Sequence, residues 1–459
     1  MYIEQLYTNC LAEAAYYIES DHEAAIIDPL RETEPYIELA KKRGSKIKYV
    51  FETHFHADFV SGHIDLAKKV QAPIIYGPDA NTEYKVYNAK DGEEFKLGRV
   101  KIRVLHTPGH TPESSCFLLI DEDDNMHAIF TGDTLFVGDV GRPDLLDGVM
   151  SSEMLAGMMY DSLTKKIKTL PDDVIVYPAH GPGSACGKNI GKETSSTIGE
   201  QKKFNYALKV MSRDEFIEKI TEGIMPPPQY FFESARINKT GYEPIEDVIR
   251  NSTKPLSATE VRKLVTEGAI ILDTRPADEF EEGFIPGSVN IGLDGQFAVW
   301  VGTLIDINNR IVLVTNEGKE QETVLRLARV GFENVVGYLD GPASSYGTLD
   351  TVRSINAEGV RSQIDKGAKV LDVRKHGEWN ISHLKDATFL PLTEFPGNLI
   401  HLKKNQTYIV HCGGGYRSMV AISIMKNHGF ENLLNVPGGY GTMQKAGLEI
   451  VTEEVLLQP

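Results

Sequence analysis

The chain has 459 residues, and at about 150 residues per domain that predicts about three domains. Apolar residues make up 41% and charged residues 25%, which excludes a disordered, collagen-like or coiled-coil protein. A formal charge of −17 offers no bulk attraction to nucleic acid or an anionic membrane, so neither is expected as a partner. No run of about 20 apolar residues is present to predict a membrane span. The acidic start, MYIEQLYTNCLAEAAYYIES, does not read as a signal peptide. Cys10, Cys116, Cys186 and Cys412 are widely spaced and form no Cys-x-x-Cys pair, which points to a reducing compartment, the cytoplasm.

Residues 1–200 alternate short β-rich runs (AAIID, IKYVFET, PIIYG, KIRVLHT, SCFLLI, HAIFTGD, VIVYPAH) with histidine-bearing loops. TEPYIELAKKRG and GHIDLAKKV predict helices between them, and residues 200–225 predict one or two more. MPPPQYFF at 225–232 predicts an irregular extended segment, and 235–255 a linker. An internal repeat follows. AIILDTRPADEFEEGFIPGSVNIGL at 269–293 matches AKVLDVRKHGEWNISHLKDATFLPL at 368–392. RIVLVTNEGKEQETVLRLARVGFENVVGYLDG at 310–341 matches YIVHCGGGYRSMVAISIMKNHGFENLLNVPGG at 408–439. A period near 100 residues is too long for a solenoid and marks two copies of one domain. In each copy strand and helix alternate, which predicts a parallel sheet wrapped by helices.

Two constellations carry chemistry. ETHFHADFVSGH holds His54, His56, Asp58 and His63, and later segments add His110, Asp133 and His180. His54, Asp133 and His180 directly follow strand-like runs, so imidazoles and carboxylates can converge on one sheet edge as nitrogen and oxygen ligands of a divalent metal. His63 and His127 read as surface or helix-face residues, and Cys10 and Cys116 as core. HCGGGYRS at 411–418 places Cys412 between a strand and a helix. Gly413, Gly414 and Gly415 let loop amides face the sulfur, Arg417 adds a charge, and the three glycines with Tyr416 are expected to bind substrate. Such a loop stabilises anionic sulfur as a thiolate or persulfide. An offset of 98 places Val314 opposite Cys412 and Lys319 opposite Arg417, so the first copy is catalytically silent.

The order His-x-His-x-Asp, later His, Asp and His resembles the metallo-β-lactamase superfamily over roughly residues 1–200. The Cys-x4-Arg loop, with LDVR and VPGGY, resembles a rhodanese domain over 355–450. Together the chain resembles fusions of a persulfide dioxygenase with rhodanese domains. The fold class this implies is α/β multidomain: an N-terminal αββα sandwich, then two rhodanese-like domains with parallel sheets. The expected domains are 1–240 with a C-terminal helical extension, a silent copy at 255–347 and an active copy at 352–455.

The resemblance implies a mononuclear Fe(II) site, one per chain, on His54, His110 and Asp133. Where dinuclear relatives place a second-metal histidine, this chain has Phe59, which cannot ligate. His56, Asp58 and His180 become supporting residues that hold ligands or an iron-bound water. Two histidines and one carboxylate with open positions suit O₂ chemistry. Arg142 and Asp144, in GRPD, are expected to bind substrate or to form a loop pair, and Tyr177 to bond near the iron. Cys186 is expected to carry a persulfide at the site or to be a plain buried thiol. The implied activities are oxidation of a low-molecular-weight thiol persulfide with O₂ to sulfite, and sulfur transfer at Cys412 that can form thiosulfate. A dimer or tetramer is expected. The alternatives are a glyoxalase II-type zinc thioester hydrolase fused to a sulfurtransferase, or a non-enzymatic sulfur carrier.

Overall fold

The computed structural model describes residues 1–146 and 149–452, so the last three residues of the expected 352–455 domain lie outside it. It divides into two units: Met1–Asp247 with Leu327–Gly331, and Val248–Arg326 with Phe332–Pro459.

The first unit holds two six-stranded sheets. One runs β1 (Tyr2–Thr8), β2 (Glu13–Ser20), β3 (Glu23–Ile27), β4 (Lys46–Phe51), β5 (Ile74–Tyr76) and β6 (Tyr87–Asn88), with neighbours in chain order. The other comprises β7 (Glu94–Leu97), β8 (Val100–His106), β9 (Ser115–Ile120), β10 (Met126–Gly132), β11 (Ile175–Pro178) and β12 (Ser196–Thr197), again in chain order. β9 explains why the sheets become inner layers. All six of its residues are buried. Phe117 and Leu119 pack inward against Phe51, Tyr16 and Ile27 of the facing sheet. Cys116, Leu118 and Ile120 point the other way, against Ala156, Met159 and Leu163 of the helical layer. A strand apolar on both faces must be covered on both. Helices Glu34–Arg43 and His63–Val70 cover the first sheet through Tyr36, Ala40, Leu66 and Ala67. The result is an αββα sandwich. Cys116 is core as expected, and burial raises its thiol to about 11. Cys10 is only half-buried, because it sits in the turn between β1 and β2 rather than in a strand.

The expected linker at 235–255 is mostly helical instead: Tyr230–Thr240 and Ile245–Ser252. Tyr230, Phe231, Ser234, Ile237 and Asn238 recur at helical spacing and are buried, a pattern that the preceding prolines masked.

The second unit contains the repeat. β13 (Pro255–Leu256), β14 (Ile270–Asp273), β15 (Val289–Asn290), β16 (Ile311–Val314) and β17 (Val335–Leu339) form a parallel sheet in the order β13-β17-β16-β14-β15. β18 (Arg353–Ser354), β19 (Lys369–Asp372), β20 (His383–Leu384), β21 (Thr388–Phe389), β22 (Tyr408–His411), β23 (Leu433–Asn435) and β24 (Ile450–Val451) build the second copy. Its main sheet runs β18-β23-β22-β19-β21, parallel throughout, the same order as the first copy, while β20 pairs with β24. Among the described residues no helix is long and apolar enough to cross a membrane.

Candidate metal centre and cysteine cradle

The loops after β4, β8, β10 and β11 meet at one edge of the sandwich, bringing His54, His110, Asp133 and His180 together. All four are buried. The sheets close tightly here: a Cβ on Gly132, which has φ +51°, would lie 2.7 Å from Thr53.

Each histidine is oriented by a bond from its Nδ1. His54 Nδ1–H donates to Thr53 Oγ1 at 2.9 Å, since that hydroxyl itself donates to Asp28 Oδ2. His110 Nδ1–H donates to the Arg142 carbonyl at 2.8 Å, and His180 Nδ1–H to the Ala12 carbonyl at 3.2 Å. The Nε2 lone pairs are thereby aimed at the shared space. Nε2 of all three, and both oxygens of Asp133, are buried without a hydrogen-bond partner. Orphaned buried polar atoms are costly, and a cation between them removes that cost. The donor set therefore fits a metal ion. Burial and neighbouring imidazoles hold His54 well below the usual histidine range, in the neutral form a metal takes.

Asp133 faces two donor groups. Its Oδ2 lies 3.4 Å from His110 Nε2 and 3.9 Å from His54 Nε2. Its Oδ1 lies 3.3 Å from His180 Nε2, which is also 3.4 Å from Asp58 Oδ2. Phe59 is fully buried, its ring 4.3 Å from that of His56. His56 Nε2 lies 3.1 Å from Asp28 Oδ1 and 3.8 Å from Glu52, two carboxylates the sequence reading did not single out. The loop carrying His56 to Ser61 is held by Asn238, which donates to the His56 and Phe59 carbonyls and accepts from Ser61 N–H. His63, expected on a surface or a helix face, opens the helix His63–Val70 and is buried. Its Nε2 is 2.6 Å from the Tyr84 hydroxyl, because the helix it opens lies against the sheet.

Arg142 is tied into its own loop. Its guanidinium binds Asp144 through two bonds, at 2.6 and 2.7 Å. It also donates to the Ala185 and Met225 carbonyls, so four of its five N–H groups are committed to its surroundings. Its backbone N–H bonds the Cys186 carbonyl. Tyr177 stacks on Phe130 at 5.4 Å in the sandwich interior, and its hydroxyl makes no hydrogen bond among the described residues. Cys186 is brought to the centre: it is buried, with Sγ within 4.8 Å of ligand atoms of Asp133 and His180. Burial, Asp58 and Asp133 push its thiol well up.

In the second unit Cys412 is buried at the end of β22. Gly415 N–H donates to Cys412 Sγ at 3.1 Å, and Gly415 takes φ +109° to do so. The Cys412 carbonyl accepts from Tyr440 N–H at 2.7 Å. Gly439, with φ +54°, allows this approach, since a Cβ there would lie 2.2 Å from that carbonyl. Arg417 forms two bonds with Glu378, at 2.5 and 2.8 Å, a partner that the sequence reading did not name. The Tyr416 hydroxyl donates to the Gly292 carbonyl of the first copy. In the first copy β16 ends on Val314, which has no thiol to offer.

Beneath the cradle, burial holds His411 down to about 4, although Asp372 lies 3.7 Å from its Nε2. The unfolded chain takes up this proton near pH 6.5, before the folded one does. The stabilisation is full above about pH 6.5 and is lost as pH falls toward 4, by roughly 3 kcal/mol. Urea unfolding at pH 7 and pH 5 should therefore show less loss for His411→Gln than for the unchanged chain. Equal losses would show that His411 does not contribute.

Residues 8–180 match the metallo-beta-lactamase superfamily, and residues 257–346 and 356–446 each match the rhodanese-like domain. A human protein, persulfide dioxygenase ETHE1, is 32% identical over 211 residues, covering 45% of this chain and 74% of that protein. A probable hydroxyacylglutathione hydrolase of Schizosaccharomyces pombe is as similar, 32% over 216 residues, covering 42% of this chain and 80% of that protein. Among solved structures, a metallo-beta-lactamase from Staphylococcus aureus subsp. aureus COL superposes with a TM-score of 0.65 at 32% identity, covering 73% of this chain and 98% of that chain. With its αββα sandwich, its edge of converging ligands and its duplicated parallel sheets, the chain belongs to the metallo-beta-lactamase superfamily and carries two rhodanese-like domains behind that fold.

Proposed function

We propose that this protein is a non-haem iron persulfide dioxygenase fused to a rhodanese sulfurtransferase, acting in sulfide detoxification. The observation that carries the reading is Phe59. The buried Phe59 ring occupies the position at which the resemblance to dinuclear relatives implies a second-metal imidazole, beside the His54, His110 and Asp133 set. The cradle at Cys412 independently suits sulfane sulfur, which ties the two sites to one chemistry.

The first reaction is RSSH + O₂ + H₂O → RSH + SO₃²⁻ + 2H⁺. Iron held by His54, His110 and Asp133, one per chain, would supply O₂ activation and a binding position for the persulfide sulfur. Thr53, Arg142 and Ala12 keep the imidazoles aimed, and Asp58 and His180 accept or donate hydrogen bonds at the open side. Arg142 and Asp144 hold the loop that carries Cys186, whose thiol can take a persulfide sulfur from the substrate. In the second reaction Cys412 carries sulfane sulfur, while the Gly413–Gly415 amides and Arg417 stabilise its charge. In this reading the protein works in the cytoplasm as a homo-oligomer.

The experiment is O₂ consumption by anaerobically iron-loaded protein given glutathione persulfide, with a glutathione thioester as control. Uptake with sulfite or thiosulfate formed is expected. Thioester hydrolysis by zinc-loaded protein without O₂ uptake would replace the reading with a thioester hydrolase, which the equally similar hydroxyacylglutathione hydrolase supports. Phe59→His separates the two from the metal side. Zinc reconstitution should rise from about one to about two equivalents per chain, because the variant adds an imidazole to the His56, Asp58 and His180 group. No rise would undercut the weight placed on Phe59.

A further inference from the structure

Arg329 stands in the first copy of the repeat, yet its segment, Leu327–Gly331, belongs to the first unit. There it is mostly buried, and its guanidinium has two partners. It forms an ion pair with Glu32, and its Nη1 donates to Cys10 Sγ at 3.4 Å. Cys10 lies in the turn between β1 and β2, which ends on the buried Ala12. Ala12 has φ +53°, in the left-handed region that residues with a Cβ rarely adopt. Such a conformation persists only where the surroundings hold it, and it clusters at functional sites. The Ala12 carbonyl accepts from His180 Nδ1–H at 3.2 Å and from Gly181 N–H at 3.0 Å. Glu13, next in the chain, is fully buried with neither carboxyl oxygen hydrogen-bonded, and the Arg329 charge acts on it. The Arg329 carbonyl accepts from Val60 N–H at 2.6 Å, in the loop that Asn238 also holds. A substitution at 329 keeps that backbone bond, so its effect reads the guanidinium alone.

We propose, on the metal reading of His54, His110 and Asp133, that Arg329 is a positioning residue of the metal centre. Its guanidinium clamps the strained turn at Cys10, and the turn sets the imidazole of His180 through the Ala12 carbonyl. His180 Nε2 lies 3.3 Å from Asp133 Oδ1 and 3.4 Å from Asp58 Oδ2. A turn that relaxes therefore moves a ring held against a carboxylate of the ligand set. Glu32 fixes the other end of the guanidinium, so the clamp cannot follow Cys10 as the turn shifts. The silent copy thereby bears on the metal centre through one side chain.

The test loads the full chain with iron anaerobically and times iron release to an excess of chelator, with backbone hydrogen exchange across the turn as a second readout. Arg329→Ala should release iron about tenfold faster, the lower end of the cost of losing a residue that supports a metal ligand. Exchange in the turn should rise with it, while sulfur transfer at Cys412, a distant site, stays within about twofold. Adding Ala12→Gly should bring release back to within about threefold, because glycine takes this conformation unstrained and the turn no longer needs the clamp. A residue that only stabilised the fold would gain nothing from that glycine. Cys10→Ala keeps the ion pair with Glu32 and should speed release about threefold, for one lost hydrogen bond; it serves where Arg329→Ala is too unstable to load. Unchanged release in Arg329→Ala and Cys10→Ala, with the unsubstituted protein holding iron, would overturn this inference and leave the metal reading standing. So would faster release that Ala12→Gly fails to slow. An unsubstituted protein that binds no iron would overturn the metal reading as well.

Discussion

Replacing His110 by alanine is expected to lower persulfide-dependent O₂ uptake by more than ~100-fold, while sulfur transfer at Cys412 continues within about twofold. Loss of a residue that merely supports a metal ligand typically costs ~10–100-fold in affinity or activity, and loss of a ligand costs more. His110 is well placed to show the full effect. Its Nε2 is buried without a hydrogen-bond partner beside Asp133, and its Nδ1 is anchored on the Arg142 carbonyl, so the ring is held with its lone pair aimed at the ligand space. Two readouts check this: an oxygen electrode for uptake, and elemental analysis for iron per chain. Full uptake with a full iron complement would remove His110 from the ligand set. Loss of both activities would mean that the two sites are not separable.

Replacing Cys412 by serine is expected to do the reverse. Sulfur transfer should fall by more than about 1,000-fold, because a hydroxyl neither ionises near neutral pH nor holds a sulfane sulfur. O₂ uptake should stay within about twofold. Serine is close to isosteric, and its oxygen can accept the Gly415 N–H as the sulfur does, so the loop should keep its shape. Mass spectrometry after exposure to a persulfide reads the result directly. A persistent +32 Da adduct with turnover in the variant would move the chemistry to another thiol, with Cys186 the first to examine.

The sandwich was legible because its strands are apolar on both faces and its ligands directly follow them. The repeat was legible because two copies print the same pattern twice. What escaped the reading depends on long-range contact. Trp300 and Gln296 belong to the Cys412 cavity only through the pairing of the two copies, which no local spacing reveals. His63 opens a helix with basic residues in its last turn, so it read as exposed, yet the sheet beneath that helix buries it. The helix Tyr230–Thr240 hid behind three prolines, although its Asn238 holds the loop that carries His56 to Ser61. Cys186 was left between a place at the site and a plain buried thiol, because its loop carries no periodic signal to choose between them. Its place beside Asp133 and His180 follows from Arg142 fastening the loop.

The helix Tyr416–Asn427, which begins at the cysteine loop, is buried continuously from Ser418 to Met425. Ser423 Oγ accepts from Asn290 N–H, and Asn427 donates to the Gly287 carbonyl, both in the silent copy. The duplication is therefore not divisible. Removing the first copy would strip the cover from a helix buried from Ser418 to Met425. The first copy, with Val314 where the second has Cys412, thereby serves its twin as a packing surface rather than through a thiol.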